Sequence, residues 1–461
     1  MKYRPWMSLI AGLVLAAIST LFISTRPQRA ATRPNIVFIF ADDLGWGDLS
    51  GYGATDLKTP HIDSLMRAGL RFTRFYANSS VCSPSRAALL SGRWPERVGV
   101  PGVIRDDSTD SWGYLAPGLL LPNYLQKAGY HTALVGKWHL GLEPENAPNE
   151  RGFQEFYGFL GDMMDDYYTK LRNGHNFMRH NRQTIDPPGH ATEVFTDAAI
   201  RYLTARKGNS KPFFLYLAYN APHNPLQPPA EWLERVLQRD SAIDPTRAKL
   251  VALIEHMDAN VGRVVAALKA NGQLANTLIV FTSDNGGWKP GKANNGPVRD
   301  YKGTLYEGGI RVPAGVAWPG HIQPGRVSDE RLQLSDWMPT FLELAGIKAP
   351  AELDGKSMTG VLLTDQPDAS TLEAIRQRPL FFIRREGNDT YKGLTTQAVR
   401  LGDWKLLQPN PFAPYELYNL QKDPKETTNL VSQEKQKATE LTQLIMTHIR
   451  QSGATPWQKR K

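Results

Sequence analysis

The sequence has a single cysteine, Cys82, in 461 residues, which excludes any intrachain disulfide. It has no internal repeat, no low-complexity tract and no block of like charge. Solenoid, fibrous and disordered classes are therefore excluded, as is a basic nucleic-acid-binding arm, and no nucleic-acid partner is expected. Long apolar runs are also scarce: only Trp6 to Ile23 approaches the roughly 20 residues of a membrane span. What is present is ordinary globular material. Hydrophobic residues make up 41% and charged residues 21%, enough to bury a large core while covering its surface.

Lys2 and Arg4 precede the apolar run, and Thr25-Arg26-Pro27 breaks it before Ala30 and Ala31. The pattern predicts an export signal over 1–31 and a periplasmic or extracellular protein. The alternative is an inner-membrane anchor formed by residues 6–23, the one route by which the protein would associate with a membrane. Removing the four cations of residues 1–31 lowers the net charge from +9 to +5, mildly basic and compatible with an anionic substrate.

Through the first three quarters, strand-like runs alternate with helical patterns, which predicts βαβ units and a mixed, mainly parallel sheet between helices. The runs Ile36–Phe40, Thr132–Val135, Phe213–Ala218 and Thr277–Phe281 read as strands buried on both faces. Polar groups follow each run: Asp42 and Asp43, Lys137 and His139, Asn220 and His223, Asp284 and Asn285. Ligands in open α/β sheets bind beyond the carboxyl ends of strands, so these four sets mark one site. Helical spacing appears over Thr59–Ala68, Ala191–Ala205 and Thr246–Ala270, and His256 and Asp258 in the last read as structural. From about residue 366 the pattern changes to Leu380–Arg384, Ala398–Leu401, Trp404–Leu407 and Glu416–Leu420, then a helix over Gln433–Arg450. The expected organisation is a catalytic domain over 32–365 and a smaller α+β subdomain over 366–461.

The sharpest signal is Cys82-Ser83-Pro84-Ser85-Arg86, followed by an apolar stretch. Ser83 as a cap and Pro84 at the first helical position would put Cys82 at a helix amino terminus, where an anion is favoured. This stretch resembles the signature of the sulfatase family. Gly129-Tyr130-His131-Thr132-Ala133-Leu134-Val135-Gly136-Lys137-Trp138-His139 is similar to the family's second signature. Asn35–Asp43 and Lys302–Pro313 are further familiar blocks, so the resemblance runs from residue 33 to about 430.

That resemblance implies an alkaline phosphatase-like α/β fold and a sulfuric ester hydrolase of the arylsulfatase type. It implies that a maturation enzyme converts Cys82 to formylglycine, whose hydrate attacks sulfur and displaces the alcohol. The second hydroxyl of the hydrate would then release sulfate from the sulfated enzyme by elimination. Asp42, Asp43, Asp284 and Asn285 supply only oxygen ligands, which selects a hard cation. The resemblance narrows this to one Ca²⁺ ion, with modified Cys82 as a further ligand. It also implies that Arg86 and Lys137 hold the nucleophile and that His139 takes the proton that triggers elimination. His223 and Lys302 would bind sulfate and assist the leaving oxygen. The segment Gly161–Asp166 has no assignable counterpart of the polar sulfate contact found in some sulfatases.

The loop from Leu142 to His190 should border the pocket. Tyr167, Tyr168, Trp112 and Trp288 are candidates to stack on a sugar, and Lys170, Arg172, Arg179 and Arg182 are candidates for further anionic groups. The expected substrate is a sulfated carbohydrate, with aryl sulfates as surrogates. A metal-dependent phosphatase of the same fold is the first rival, although such enzymes mostly use serine or threonine and histidine-rich ligand sets. A glycan-binding relic is the second, and would be expected to have lost ligands that are all present here.

Overall fold

All four apolar runs form strands lying side by side, and the registry between them explains where the site falls. The computed structural model describes residues 33–105, 115–386 and 393–456. The N-terminal apolar run and Trp112 lie outside the described residues. In chain order the strands are β1 (Asn35–Ala41), β2 (Leu70–Tyr76), β3 (His131–Lys137), β4 (Glu155–Phe159), the small pair β5 (Leu171–Arg172) and β6 (His175–Asn176), β7 (Met178–His180) and β8 (Gln183–Thr184). They continue as β9 (Phe213–Ala218), β10 (Thr277–Ser283), β11 (Arg311–Ala317), β12 (Arg326–Ser328) and β13 (Leu332–Gln333). The main helices of this part are α1 (Pro60–Arg67), α2 (Cys82–Ser91), α3 (Leu121–Lys127), α4 (Ala191–Ala205), α5 (Ala230–Arg239) and α6 (Pro245–Ala270).

The eleven-stranded sheet runs β12-β2-β11-β10-β1-β9-β3-β4-β7-β8, with β13 also pairing β2. The centre, β10 through β4, is parallel, while β11 and β7 are antiparallel to their inner neighbours. Ala41 pairs with Ser283, Phe40 with Ala218, and Gly136 with Ala218. Strands β1, β3, β9 and β10 thus end at one level, and their following residues meet at one edge.

Side chains alternate across a strand, and both faces of the centre are apolar. Ile36, Phe38 and Phe40 of β1 pack with Phe214, Tyr216, Trp337 and Phe341 on one face. Val37, Ile39 and Ala41 pack with Leu215, Leu217 and residues of α4 and α6 on the other. The continuous runs of the sequence are therefore the centre of a three-layer α/β sandwich, as expected. Asp258 of α6 is structural, also as expected: it accepts the amides of His61 (3.2 Å) and Ile62 (2.7 Å) at the start of α1.

A second, four-stranded antiparallel sheet follows, of β14 (Leu380–Arg385), β15 (Thr395–Leu401), β16 (Trp404–Gln408) and β17 (Glu416–Asn419). A helix over Lys435–Ser452 closes the chain's described part. This sheet meets the first through buried charge: Lys405 lies 3.2 Å from Glu307 and 2.8 Å from Glu426. Among the described residues no helix is long and apolar enough to cross a membrane.

His256 and His190 are buried, with ring centroids 4.8 Å apart. Nδ1 of His190 accepts the Thr192 amide and Nε2 faces the Gln227 carbonyl, which suits a neutral ring. Burial pushes both histidines down to about 4. Above pH 6.5 both the folded and unfolded chains carry these rings neutral, so stability is unaffected. Between about 6.5 and 4 only the unfolded chain takes up the protons, and stability falls as pH falls, by about 1.4 kcal/mol per pH unit per histidine. Urea midpoints measured from pH 7 to 5 should show this slope, and H190Q/H256Q should reduce it. Equal slopes for both proteins would refute the assignment.

Candidate active site

Helix α2 is buried over its whole length and begins at Cys82. Its first backbone amides lack intrahelical acceptors and present a partial positive charge. The expected cap is corrected here. Val81 occupies the cap position without a side-chain bond, while the Ser83 hydroxyl accepts the Ile104 amide at 3.0 Å. Ser83 is drawn into a tertiary contact that local spacing does not show.

Around Cys82 stand the groups that follow the strands. Asp42 is fully buried, with Lys137 Nζ 2.6 Å from Oδ2 and Arg86 Nη2 3.3 Å from Oδ1. Arg86 also reaches Asp284 at 2.9 Å. The other oxygen of Asp284 accepts the Asp43 amide at 3.1 Å. Asp43 adopts a left-handed backbone (φ 68°), a conformation costly for a non-glycine residue. Its carboxylate meets Lys302 Nζ at 2.6 Å, the Asn285 amide nitrogen at 2.8 Å and His223 Nε2 at 3.6 Å. Cys82 Sγ lies 3.5 Å from Lys302 Nζ and 4.0 Å from Asp43 Oδ1. All the sequence-predicted groups except His139 are linked in this chain of contacts. His139, also at positive φ (59°), is buried beside it, with Nε2 2.8 Å from the Ile104 carbonyl.

Burial alone would raise Asp42, but Lys137, His223 and Arg86 reverse this and hold it well below the usual carboxylate range. Asp284 is pushed upward by burial and by Asp42. Burial and the Asp284 charge push the Cys82 thiol up, against Lys137 and Lys302. Burial would lower Lys302, yet Asp43 and Cys82 hold it firmly cationic. Burial depresses His139, helped by Lys137 and Arg86, so the ring is neutral at physiological pH. Since the Ile104 carbonyl is an acceptor, Nε2 carries the proton and buried Nδ1 keeps its lone pair, with no partner among the described residues.

The donor set fits a hard cation. Asp42, Asp43, Cys82 and His223 each place a ligand atom within 4.8 Å of the others. Beside them the side-chain oxygen of Asn285, Oδ1, is a buried acceptor without a hydrogen-bond donor among the described residues. A buried oxygen left so beside three carboxylates is costly unless a cation satisfies it. Asp42, Asp43, Asp284 and Asn285 could hold such a cation. Cys82 borders the same space.

Some expectations for the pocket border are corrected. Tyr167 is fully buried and its hydroxyl contacts the carbonyls of Asn220 (3.0 Å) and His223 (2.8 Å), so it supports the His223 loop and cannot stack on a sugar. Lys170 is likewise buried, with Nζ on the Tyr168 and Gly189 carbonyls. Arg172 pairs with Asp162 and Asp165, and Arg179 donates to the Asn176 and Met178 carbonyls, whereas Arg182 faces Glu150 but stays largely exposed. Tyr168 remains exposed and Trp288 half-buried. In the Gly161–Asp166 segment, Met164 Sδ meets the Asn220 amide nitrogen at 3.6 Å. Asn220 Oδ1 is buried without a partner among the described residues, a site feature that local pattern marks only as a residue following a strand.

Buried carboxylates, a side chain at a helix amino terminus and flanking cations together suit the binding of a cation and of an anionic group. Comparison with known proteins assigns the family. The Sulfatase family model matches residues 34–347, and the model for the C-terminal part of N-sulphoglucosamine sulphohydrolase matches 300–452. N-acetylgalactosamine-6-sulfatase of Mus musculus is 34% identical, covering 85% of this chain and 74% of its own. Arylsulfatase A of Bos taurus is also 34% identical, over 90% and 87% of the two chains. Among solved structures, Ps i-CgsB in complex with k-i-k-neocarrahexaose superposes with a TM-score of 0.81 and 32% identity, covering 90% of this chain and 92% of that one. The chain belongs to the sulfatase family. It is a sulfuric ester hydrolase.

Proposed function

We propose that this enzyme hydrolyses sulfate monoesters of carbohydrates with formylglycine at position 82 and one Ca²⁺ ion. The observation that carries the reading is the placement of Cys82 between the amino terminus of α2, the carboxylate of Asp43 and the ammonium of Lys302. The Lys302 ammonium beside this position can stabilise an oxygen nucleophile as it loses its proton. The hydrated aldehyde of formylglycine supplies two hydroxyls, one to attack sulfur and one to permit release of sulfate. A bound Ca²⁺ supplies charge that makes such a hydroxyl more acidic and holds sulfate oxygens.

The chain's own residues do the rest. Arg86 and Lys137 pair with Asp42, and Arg86 also with Asp284, which keeps Asp42 ionised and fixes both side chains. Lys302 Nζ lies 3.5 Å from Cys82 Sγ and His223 Nε2 lies 3.6 Å from the Asp43 carboxylate, so both are candidates to meet charge developing on the leaving oxygen. Lys302 stays cationic and stabilises that charge. His139, neutral with a lone pair on Nδ1, accepts the proton whose loss frees sulfate.

A carbohydrate substrate is supported by Ps i-CgsB, which binds a neocarrahexaose. Exposed Tyr168 and half-buried Trp288 offer rings for sugar stacking. A panel of sulfated oligosaccharides should yield free sulfate, with aryl sulfate slower and aryl phosphate slower still. Good aryl sulfate turnover without release from any oligosaccharide would sink the carbohydrate assignment. Faster phosphate than sulfate release would favour the phosphatase rival. We also propose export, on the strength of the N-terminal sequence, and maturation by a formylglycine-forming partner. Fractionation of the producing cells, with N-terminal sequencing, tests whether 1–31 is removed.

A further inference from the structure

The four-stranded sheet reaches the backbone beside Lys302 through Arg384, which a buried carboxylate holds. Glu386 follows β14 and is 3% exposed. Its Oε1 receives Arg384 Nε at 2.9 Å and its Oε2 receives Arg105 Nη1 at 3.0 Å. Arg384 then donates from Nη1 to the carbonyl of Gly303 at 2.7 Å. Gly303 is the residue after Lys302, and its own amide is held by the Ser80 carbonyl at 2.9 Å. Gly303 sits at φ 92°, where only glycine is relaxed, and a Cβ there would lie 2.9 Å from Arg384 Nη1. The guanidinium is thus seated in the space left by the missing side chain. On the other arm, the backbone next to Arg105 holds the site: the Ile104 carbonyl meets His139 and the Ile104 amide meets Ser83. Close backbone contact reinforces the arrangement, since the Arg385 amide donates to the Pro101 carbonyl at 2.9 Å.

We infer that Glu386 is a positioning residue for catalysis: its carboxylate aligns Arg384, which fixes the Gly303 carbonyl and so the backbone from which Lys302 reaches the leaving oxygen. The inference rests on the role proposed for Lys302. The planar guanidinium is suited to this link, because Nε and Nη1 bind two acceptors in a fixed geometry that an ammonium cannot reproduce. Without the carboxylate, the guanidinium loses the acceptor that orients Nε, and its hydrogen bond to the Gly303 carbonyl is less well aligned. Lys302 retains its charge but loses its aim, and a small displacement of a group that stabilises a transition state costs rate rather than binding.

The test uses the whole, converted enzyme and two substrates differing in their need for help at the leaving oxygen. 4-Nitrophenyl sulfate has a stable leaving anion and phenyl sulfate a poorer one. E386Q, and independently R384K in case the first variant folds poorly, are compared with wild type and K302A. Rates on both substrates come from the same preparation, so a loss of folded or converted protein cancels in their ratio. The expected result is a kcat about tenfold or more lower on phenyl sulfate, a fall below about threefold on 4-nitrophenyl sulfate, and KM within about threefold for both. K302A should show the same leaving-group dependence, more strongly. Equal losses on the two substrates in E386Q and R384K, or wild-type rates, would overturn the positioning role while leaving Lys302 intact. Equal losses in K302A itself would overturn the Lys302 reading and the inference with it.

Discussion

Cys82→Ala is expected to lose turnover of every sulfate ester, by a factor on the scale of the roughly 10⁶ seen when a covalent nucleophile is removed. The variant should fold normally. Alanine differs by one atom at a buried position on a helix whose packing comes from the following residues, Ala87 to Leu90. Cys82→Ser is the more informative partner. It supplies one oxygen nucleophile in the same place, between Asp43 and Lys302, but no second hydroxyl from which sulfate could be eliminated. It should react once and remain as a sulfate ester, seen as the addition of one sulfo group by intact mass. In the wild type, the peptide carrying residue 82 should have the mass of –CHO in place of –CH₂SH. Active enzyme with an unmodified thiol would overturn the mechanism but not the fold. Rapid multiple turnover by Cys82→Ser would overturn the need for the second hydroxyl.

Removing the cation, or the carboxylate that anchors it, should be nearly as damaging. A chelator is expected to abolish activity and Ca²⁺ to restore it. The wild-type melting temperature should rise with Ca²⁺ by mass action, because the folded chain holds the ligands together and the unfolded chain does not. Asp42→Asn should lose activity by about 10³-fold or more, the range seen when a preorganised charge is removed from a site. It should also melt earlier. Lys137 and Arg86 are fully buried beside Asp42, and breaking a buried ion pair from one side costs about 3–5 kcal/mol. Two readouts separate the effects: the lower melting temperature reports the unpaired cations, and its failure to respond to Ca²⁺ reports the lost ligand. An Asp42→Asn enzyme that retains the Ca²⁺ response would remove Asp42 from the ligand set.

Much of the site is legible in the chain's local pattern. The continuous apolar runs could only be strands covered on both sides, and the polar residues after them could only gather at the sheet's carboxyl edge. A helix amino terminus near Cys82 is legible in Ser83-Pro84 and the apolar stretch, although the helix starts two residues earlier than that pattern implies, with Val81 as the cap and Pro84 third. These features depend on neighbours along the chain: the period of a strand, the chemistry of a turn, the order of motifs.

Tertiary structure decided what depends on distance between parts of the chain far apart in sequence. Tyr167 and Lys170 look like surface residues in a polar loop, but the fold buries both against backbone carbonyls, since a buried carbonyl needs a donor. Arg86 binding both Asp42 and Asp284 required β1 and β10 to pair in register, a contact spanning 198 residues. Glu386 carries no local signal at all. Its link to Lys302 exists only because the second sheet is packed where Arg384 can fill the space a glycine leaves. The sequence by itself determined which chemistry the site contains, because residue types set donors, acceptors and charge. Only the fold determined which of those groups face one another, because charge pairing and desolvation depend on separations that no spacing along the chain encodes.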